Sequence, residues 1–104
     1  MKILANILKE SEQYYRDIKI KLERQIISLP KGNVKERKIS GNKYYYHQFR
    51  DGKKVIHKYL GKEKPSELLE GIAKRQFLHK ELQKVKEALK ILKRSKGRKR
   101  DKVR

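Results

Sequence analysis

Two stretches with the apolar spacing of a helix enclose a stretch with the alternation of β-strands, and this order limits the possible folds more than any other feature. In the first stretch, apolar or small residues recur every three or four positions, at Leu4, Leu8, Ser11, Tyr15, Ile18, Leu22, Ile26 and Leu29. This spacing predicts a long helix with one apolar face over residues 3–29. Pro30 and the following Lys31-Gly32-Asn33 should end the helix, because proline restricts its predecessor and glycine breaks the pattern.

The central stretch contains three runs rich in β-branched and aromatic residues, VKERKIS, KYYYHQFR and KKVIHKYL. Gly41-Asn42 and Asp51-Gly52 separate these runs. Both pairs tolerate positive φ angles and are typical of two-residue hairpin loops. The sequence therefore predicts a three-stranded antiparallel meander with strands at 34–40, 43–50 and 53–60.

A second helix is predicted over residues 65–93. Pro65 suits its first turn, and the carboxylates of Glu67 and Glu70 suit its N-terminus. Its apolar stripe consists of Leu68, Ile72, Leu78, Leu82, Val85, Leu89 and Leu92. We expect an α+β fold in which residues 1–93 form a single helix–meander–helix domain, with the C-terminal helix packed on the first. Residues 94–104 have no apolar face and are expected to be a disordered basic tail when unbound.

The distribution of charge points to a partner. The net charge is +19, with +8 on residues 31–64 and +6 on residues 94–104, whereas residues 1–30 carry only +2 and residues 65–93 only +3. Hydrophobic residues make up 36% of the chain, so any core must be thin. Cations concentrated on the central stretch and the tail favour a polyanionic partner.

The sequence lacks the residues that several kinds of chemistry require. The chain has no cysteine, and its three histidines have no carboxylate at metal-ligand spacing. No phosphate-binding glycine loop is present, and no serine has a neighbouring base in the sequence. We therefore predict no enzymatic activity, no metal site and no cofactor. No apolar run approaches the roughly 20 residues of a membrane span, and the N-terminus lacks the features of a secretory signal, so we expect a cytoplasmic protein without membrane contact.

Alternation divides the second hairpin into two faces. Taking Asp51-Gly52 as the loop places Arg50 opposite Lys53, Gln48 opposite Val55, Tyr46 opposite His57 and Tyr44 opposite Tyr59. The other face carries Tyr45, Phe49, Ile56 and Leu60, and we assign it to the helices, with Lys54 and Lys58 reaching past its rim. The outward face would then be a strip of cations and rings that also includes Arg37. The exchanged arrangement, with Tyr44, Tyr46 and Tyr59 in the core, stays open.

Such a strip is typical of a surface that binds nucleic acid. Lysine and arginine neutralise phosphates, and tyrosine stacks on an unpaired base or hydrogen-bonds a phosphate. The predicted contact residues are Arg37, Lys43, Tyr44, Tyr46, Arg50, Lys53, Lys54, His57, Lys58 and Tyr59 in the sheet, and Arg94, Lys96, Arg98, Lys99 and Arg100 in the tail. The predicted ligand is DNA or RNA.

The segment from Ile39 to Lys62 resembles a hairpin with the pattern YYYxxxRxGKxV…YLG. This hairpin is found in small prokaryotic and phage proteins and near the N-terminus of some DDE-type insertion-sequence transposases. The segment is also similar in outline to the arm-type DNA-binding domains of tyrosine recombinases. The matching residues are Tyr45, Tyr46, Arg50, Gly52, Lys53, Tyr59 and Gly61. Because the chain has no room for the catalytic domains of these enzymes, the resemblance implies a binding element only.

Two other functions fit the same residues. A phage-type inhibitor, similar to anti-CRISPR proteins, or an adaptor could use the basic surface to dock on a nuclease–nucleic-acid complex. The two apolar stripes could instead join two copies of the chain as a coiled-coil homodimer.

Overall fold

The computed structural model describes the backbone of residues 2–102 and the side chains of residues 2–95. The elements are α1 (Lys2–Ser28), β1 (Asn33–Ile39), β2 (Asn42–Asp51), β3 (Lys54–Gly61) and α2 (Ser66–Lys102). The α+β fold is thus confirmed, and α1 and the three strands lie within one residue of their predicted bounds. No helix within the described residues is both long enough and apolar enough to cross a membrane.

The chain forms two compact units, residues 1–27 with 78–104 and residues 28–77. In the first unit α2 packs on α1 as predicted, and the buried side chains are Ile26, Leu78, Leu82 and Val85. Ile72 is the buried side chain of the second unit. These are the five buried apolar residues of the described part of the chain, which agrees with the thin core expected from composition. That residues 1–93 act as one domain stays a prediction.

The C-terminal helix is longer than predicted. Its backbone is helical to Lys102, whereas the sequence placed its end at residue 93 and a disordered tail beyond. This corrects the expected tail over residues 94–102. Lysine and arginine have good intrinsic helix propensities, so a helix held by its apolar stripe can continue past the point where the stripe ends.

The sheet has the predicted order β1-β2-β3, but each hairpin loop is displaced by one residue from its expected position. The loops are Ser40–Gly41 and Gly52–Lys53. Gly52 has a φ angle of +64° at the first loop position, where type II′ turns place glycine. The predicted cross-strand pairs were therefore wrong: Arg50 pairs with Val55, Gln48 with His57 and Tyr46 with Tyr59. Because the register differs by two residues, each side chain keeps its predicted face.

An irregularity between Tyr45 and Tyr46 interrupts the pairing of β2 with β3. Tyr46 pairs with Tyr59, whereas Tyr45 pairs with Gly61, so Leu60 is the extra residue of a β-bulge. The bulge changes the position of the residues that follow β3, which places Lys62 near Tyr44.

Candidate nucleic-acid interface

The two faces of the sheet differ in charge. One, here called the tyrosine face, consists of Asn33, Lys35, Arg37, Ile39, Asn42, Tyr44, Tyr46, Gln48, Arg50, Val55, His57 and Tyr59. The opposite face, here called the linker face, carries both carboxylates of the strands, Glu36 and Asp51. The strand residues of the tyrosine face therefore supply cations without a compensating acidic side chain.

The linker face is covered in part by the segment that joins α1 to β1. The Nε2–H of His47 donates a hydrogen bond to the carbonyl oxygen of Lys31 across 2.7 Å. The carbonyl cannot donate, so Nε2 must carry the proton. The His47 ring also lies 4.7 Å from the Phe49 ring, centroid to centroid, and Gly32 lies directly against Phe49. The linker face therefore holds the segment between α1 and β1 against the sheet.

A second cluster on the linker face neutralises one predicted contact residue. The ammonium nitrogen of Lys43 lies 3.3 Å from the carboxylate of Glu36, which also accepts a 3.4 Å hydrogen bond from the hydroxyl of Tyr45. Lys43 is therefore on the linker face rather than on the tyrosine face, and it already has an anionic partner. Lys54 and Lys58 are also on the linker face, where their side chains are exposed.

Three tyrosine rings form a cluster on the tyrosine face. The centroid of the Tyr59 ring lies 5.4 Å from that of Tyr46 and 6.4 Å from that of Tyr44. Together with Ile39, these rings line an open depression of about 330 Å³. Tyr59 is 54% exposed and Ile39 is 52% exposed. The exchanged arrangement, with this cluster in the core, is thus not the one adopted.

A cation lies beside each end of the tyrosine cluster. The guanidinium carbon of Arg37 is 5.6 Å from the centroid of the Tyr46 ring, and the ammonium nitrogen of Lys62 is 5.8 Å from that of Tyr44. Both distances fall within the range of cation–π attraction. Lys62 was missing from the predicted contact residues, because only the β-bulge at Leu60 brings it to this face. The sequence signal for this change of direction is Gly61, because glycine readily adopts a positive φ angle, here +116°.

Arg50 and Lys53 lie at the opposite end of the hairpin from Lys62. Arg50 is exposed on the tyrosine face, and Lys53 is exposed in the loop rather than in a strand as predicted. Neither forms an ion pair with any described side chain. His57, opposite Gln48, is also exposed on the tyrosine face. These groups are available to an anionic ligand.

The predicted contact residues beyond the sheet are at the end of α2. Arg94 lies 3.8 Å from the carboxylate of Glu87, and both side chains are largely exposed. The structure does not describe the side chains of the other predicted contact residues, Lys96, Arg98, Lys99 and Arg100. Within the part of the chain whose side chains are described, no group of three or more histidine or acidic residues could hold a metal ion.

The chain belongs to a protein family described as a domain of unknown function (DUF6788). The model of this family matches residues 8–70, which is more than half of the chain and includes most of α1, the whole sheet and the start of α2. No curated protein and no solved structure matches the chain.

Proposed function

We propose that this protein is a non-catalytic nucleic-acid-binding protein whose tyrosine face contacts the ligand. The observation that carries the proposal is the composition of that face. Exposed cations lie on it beside the exposed ring of Tyr59 and the half-buried rings of Tyr44 and Tyr46. The carboxylates of the strands lie on the other side of the sheet. Phosphates are neutralised by cations of this kind, and rings of this kind contact bases or sugars.

The position of the linker supports the same face. The segment around Lys31 and Gly32 occupies part of the linker face and leaves the tyrosine face free of it. The net charge of +19 adds a general attraction for polyanions, which accelerates association and makes it depend on salt.

A salt series of binding measurements tests the proposal. Arg50→Ala combined with Lys53→Ala should weaken binding of a fluorescently labelled oligonucleotide without unfolding the protein, because both side chains are exposed and neither has an ion-pair partner among the described residues. The slope of log affinity against log salt is negative, and each lost phosphate contact should reduce its magnitude by about 0.7 to 0.9. Fluorescence anisotropy between about 50 and 200 mM salt measures this slope.

The matched control is Arg24→Ala combined with Lys86→Ala, which removes the same two charges from exposed positions on the helices. The control should keep most of the affinity. Equal weakening in the two double variants would show that net charge alone drives binding. If no oligonucleotide binds at low salt, single-stranded or duplex, the proposed function is wrong.

A further inference from the structure

We infer that the depression lined by Ile39, Tyr44, Tyr46 and Tyr59 binds an unpaired base of a single-stranded nucleic acid, with the neighbouring phosphates on Arg37 and Lys62. The inference rests on the proposed function and makes it more specific. It names unpaired bases, rather than the grooves of a duplex, as the feature of the ligand that the tyrosine face recognises.

The rings are arranged so that a base can contact them. The planes of Tyr46 and Tyr59 are inclined by 55°, and those of Tyr44 and Tyr59 by 42°. Rings at such angles are not stacked face to face on each other, so neither pair covers a whole ring face within the cluster. The depression is open, and the Tyr59 side chain at its edge is 54% exposed. Every base has a π face, so such a surface binds bases with little preference for sequence.

The tyrosine cluster forms a shallow, open depression rather than a projection, which favours an unpaired base over a base within a duplex. Paired bases are covered above and below by their neighbours and present only their edges in the grooves, where side chains must project to reach them. The three tyrosines line a depression instead. A base must leave its stack to contact their faces, which is far easier in a single strand than in a duplex.

Two cations flank the depression, as two phosphates flank each base of a single strand. In a strand each base lies between two phosphates, and the depression lies between Arg37, beside Tyr46, and Lys62, beside Tyr44. Neither cation forms an ion pair with a described side chain. The planar guanidinium of Arg37 can also stack on a base itself.

The test compares probes with equal numbers of phosphates: oligothymidine, oligouridine, a duplex and an abasic single strand. The wild-type protein should bind the better of oligothymidine and oligouridine roughly tenfold more tightly than the abasic strand, and the comparison of the two base-containing strands reports DNA or RNA. Tyr59→Leu should remove that preference, because it should weaken binding of the base-containing strands far more than binding of the abasic strand. Tyr59→Phe, which keeps the ring, should restore it.

Two further variants protect the test. Tyr46→Leu should also remove the preference for base-containing strands. If circular dichroism shows that one of the two leucine variants does not fold, the other one serves as the test. Tyr14→Leu changes a 62% exposed tyrosine of α1 and should alter no affinity. Equal binding of all probes, unaffected by either leucine variant in the sheet, would overturn the inference but leave the proposed function standing. Absence of binding to every probe would overturn both.

Discussion

At the scale of single residues, the contrast between Lys43 and Arg50 shows how position decides what a cation can do. Lys43 lies beside Glu36, so part of its charge is already neutralised. Arg50 has no carboxylate on its face of the sheet and no ion pair within the described part of the chain. Of two residues that look equivalent in the sequence, we expect Arg50 to contribute more to phosphate binding.

Gly32 is the residue on which the linker most depends. Its φ angle is +96°, and a Cβ atom added there would lie 2.8 Å from Cβ of Phe49 and even closer to the carbonyl oxygen of Gln48. Gly32→Ala should therefore lower the free energy of unfolding by about 2 kcal/mol or more, because backbone strain and a steric clash add. Chemical denaturation measures the loss.

Gly41→Ala is the control for this prediction. Gly41 also has a positive φ angle, +83°, but an added Cβ would meet nothing within 4 Å. That variant should cost only about 1 to 2 kcal/mol, from backbone conformation alone. Equal losses in the two variants would contradict the close contact between the linker and β2.

At the scale of elements, the linker, residues 29–32 between α1 and β1, contacts both the sheet and the first turns of α2. Pro30 lies against Gly71 of α2, and the guanidinium of Arg75 donates a 2.9 Å hydrogen bond to the carbonyl oxygen of Leu29. From the sequence alone, Gly71 is only a residue that weakens the start of a helix. The structure shows a reason for it, since a Cβ atom there would lie 2.7 Å from Cγ of the Pro30 ring.

Gly71→Ala should destabilise the protein although alanine is favoured over glycine by about 1 kcal/mol within a helix. The proline ring is rigid and cannot move aside without displacing the linker. A double-mutant cycle with Pro30→Ala measures the coupling by chemical denaturation. We expect Gly71→Ala to be destabilising in the wild-type background and stabilising in the Pro30→Ala background. A stabilising effect in both backgrounds would show that the contact does not constrain the helix.

The sequence predicts the elements well because their patterns are local. The stripe of α1 agrees with the observed burial from Leu8 to Ile26, and that of α2 from Leu68 to Leu92. Leu4, at the start of the first stripe, is 57% exposed. The end of α2 was missed because no capping residue or change of period marks it.

The candidate site could be predicted in its faces but not in its geometry. A register error of two residues preserves which side chains share a face, so the grouping of Tyr44, Tyr46 and Tyr59 does not depend on the exact loop. The bulge at Leu60 depends on pairing between strands rather than on local propensity. Sequence reasoning therefore missed Lys62 and its position beside the cluster.

At the scale of the whole molecule, charge and apolar surface are distributed differently along the chain. Residues 31–64 carry +8, whereas residues 1–30 carry only +2 but include exposed apolar side chains such as Ile3, at 76%, and Ile7, at 52%. We therefore propose that a polyanion binds the sheet and that α1 makes apolar contacts. The homodimer through the helix stripes stays a prediction.

The most direct test of the central claim is to map the bound surface residue by residue. Amide chemical shifts of the ¹⁵N-labelled protein, followed by NMR during titration with a single-stranded oligonucleotide, report which residues the ligand touches. We predict that the largest changes fall on Arg37, Tyr44, Tyr46, Arg50, Tyr59 and Lys62. Changes concentrated on α1, or on the linker face around Glu36 and Lys43, would contradict the claim that the tyrosine face binds nucleic acid.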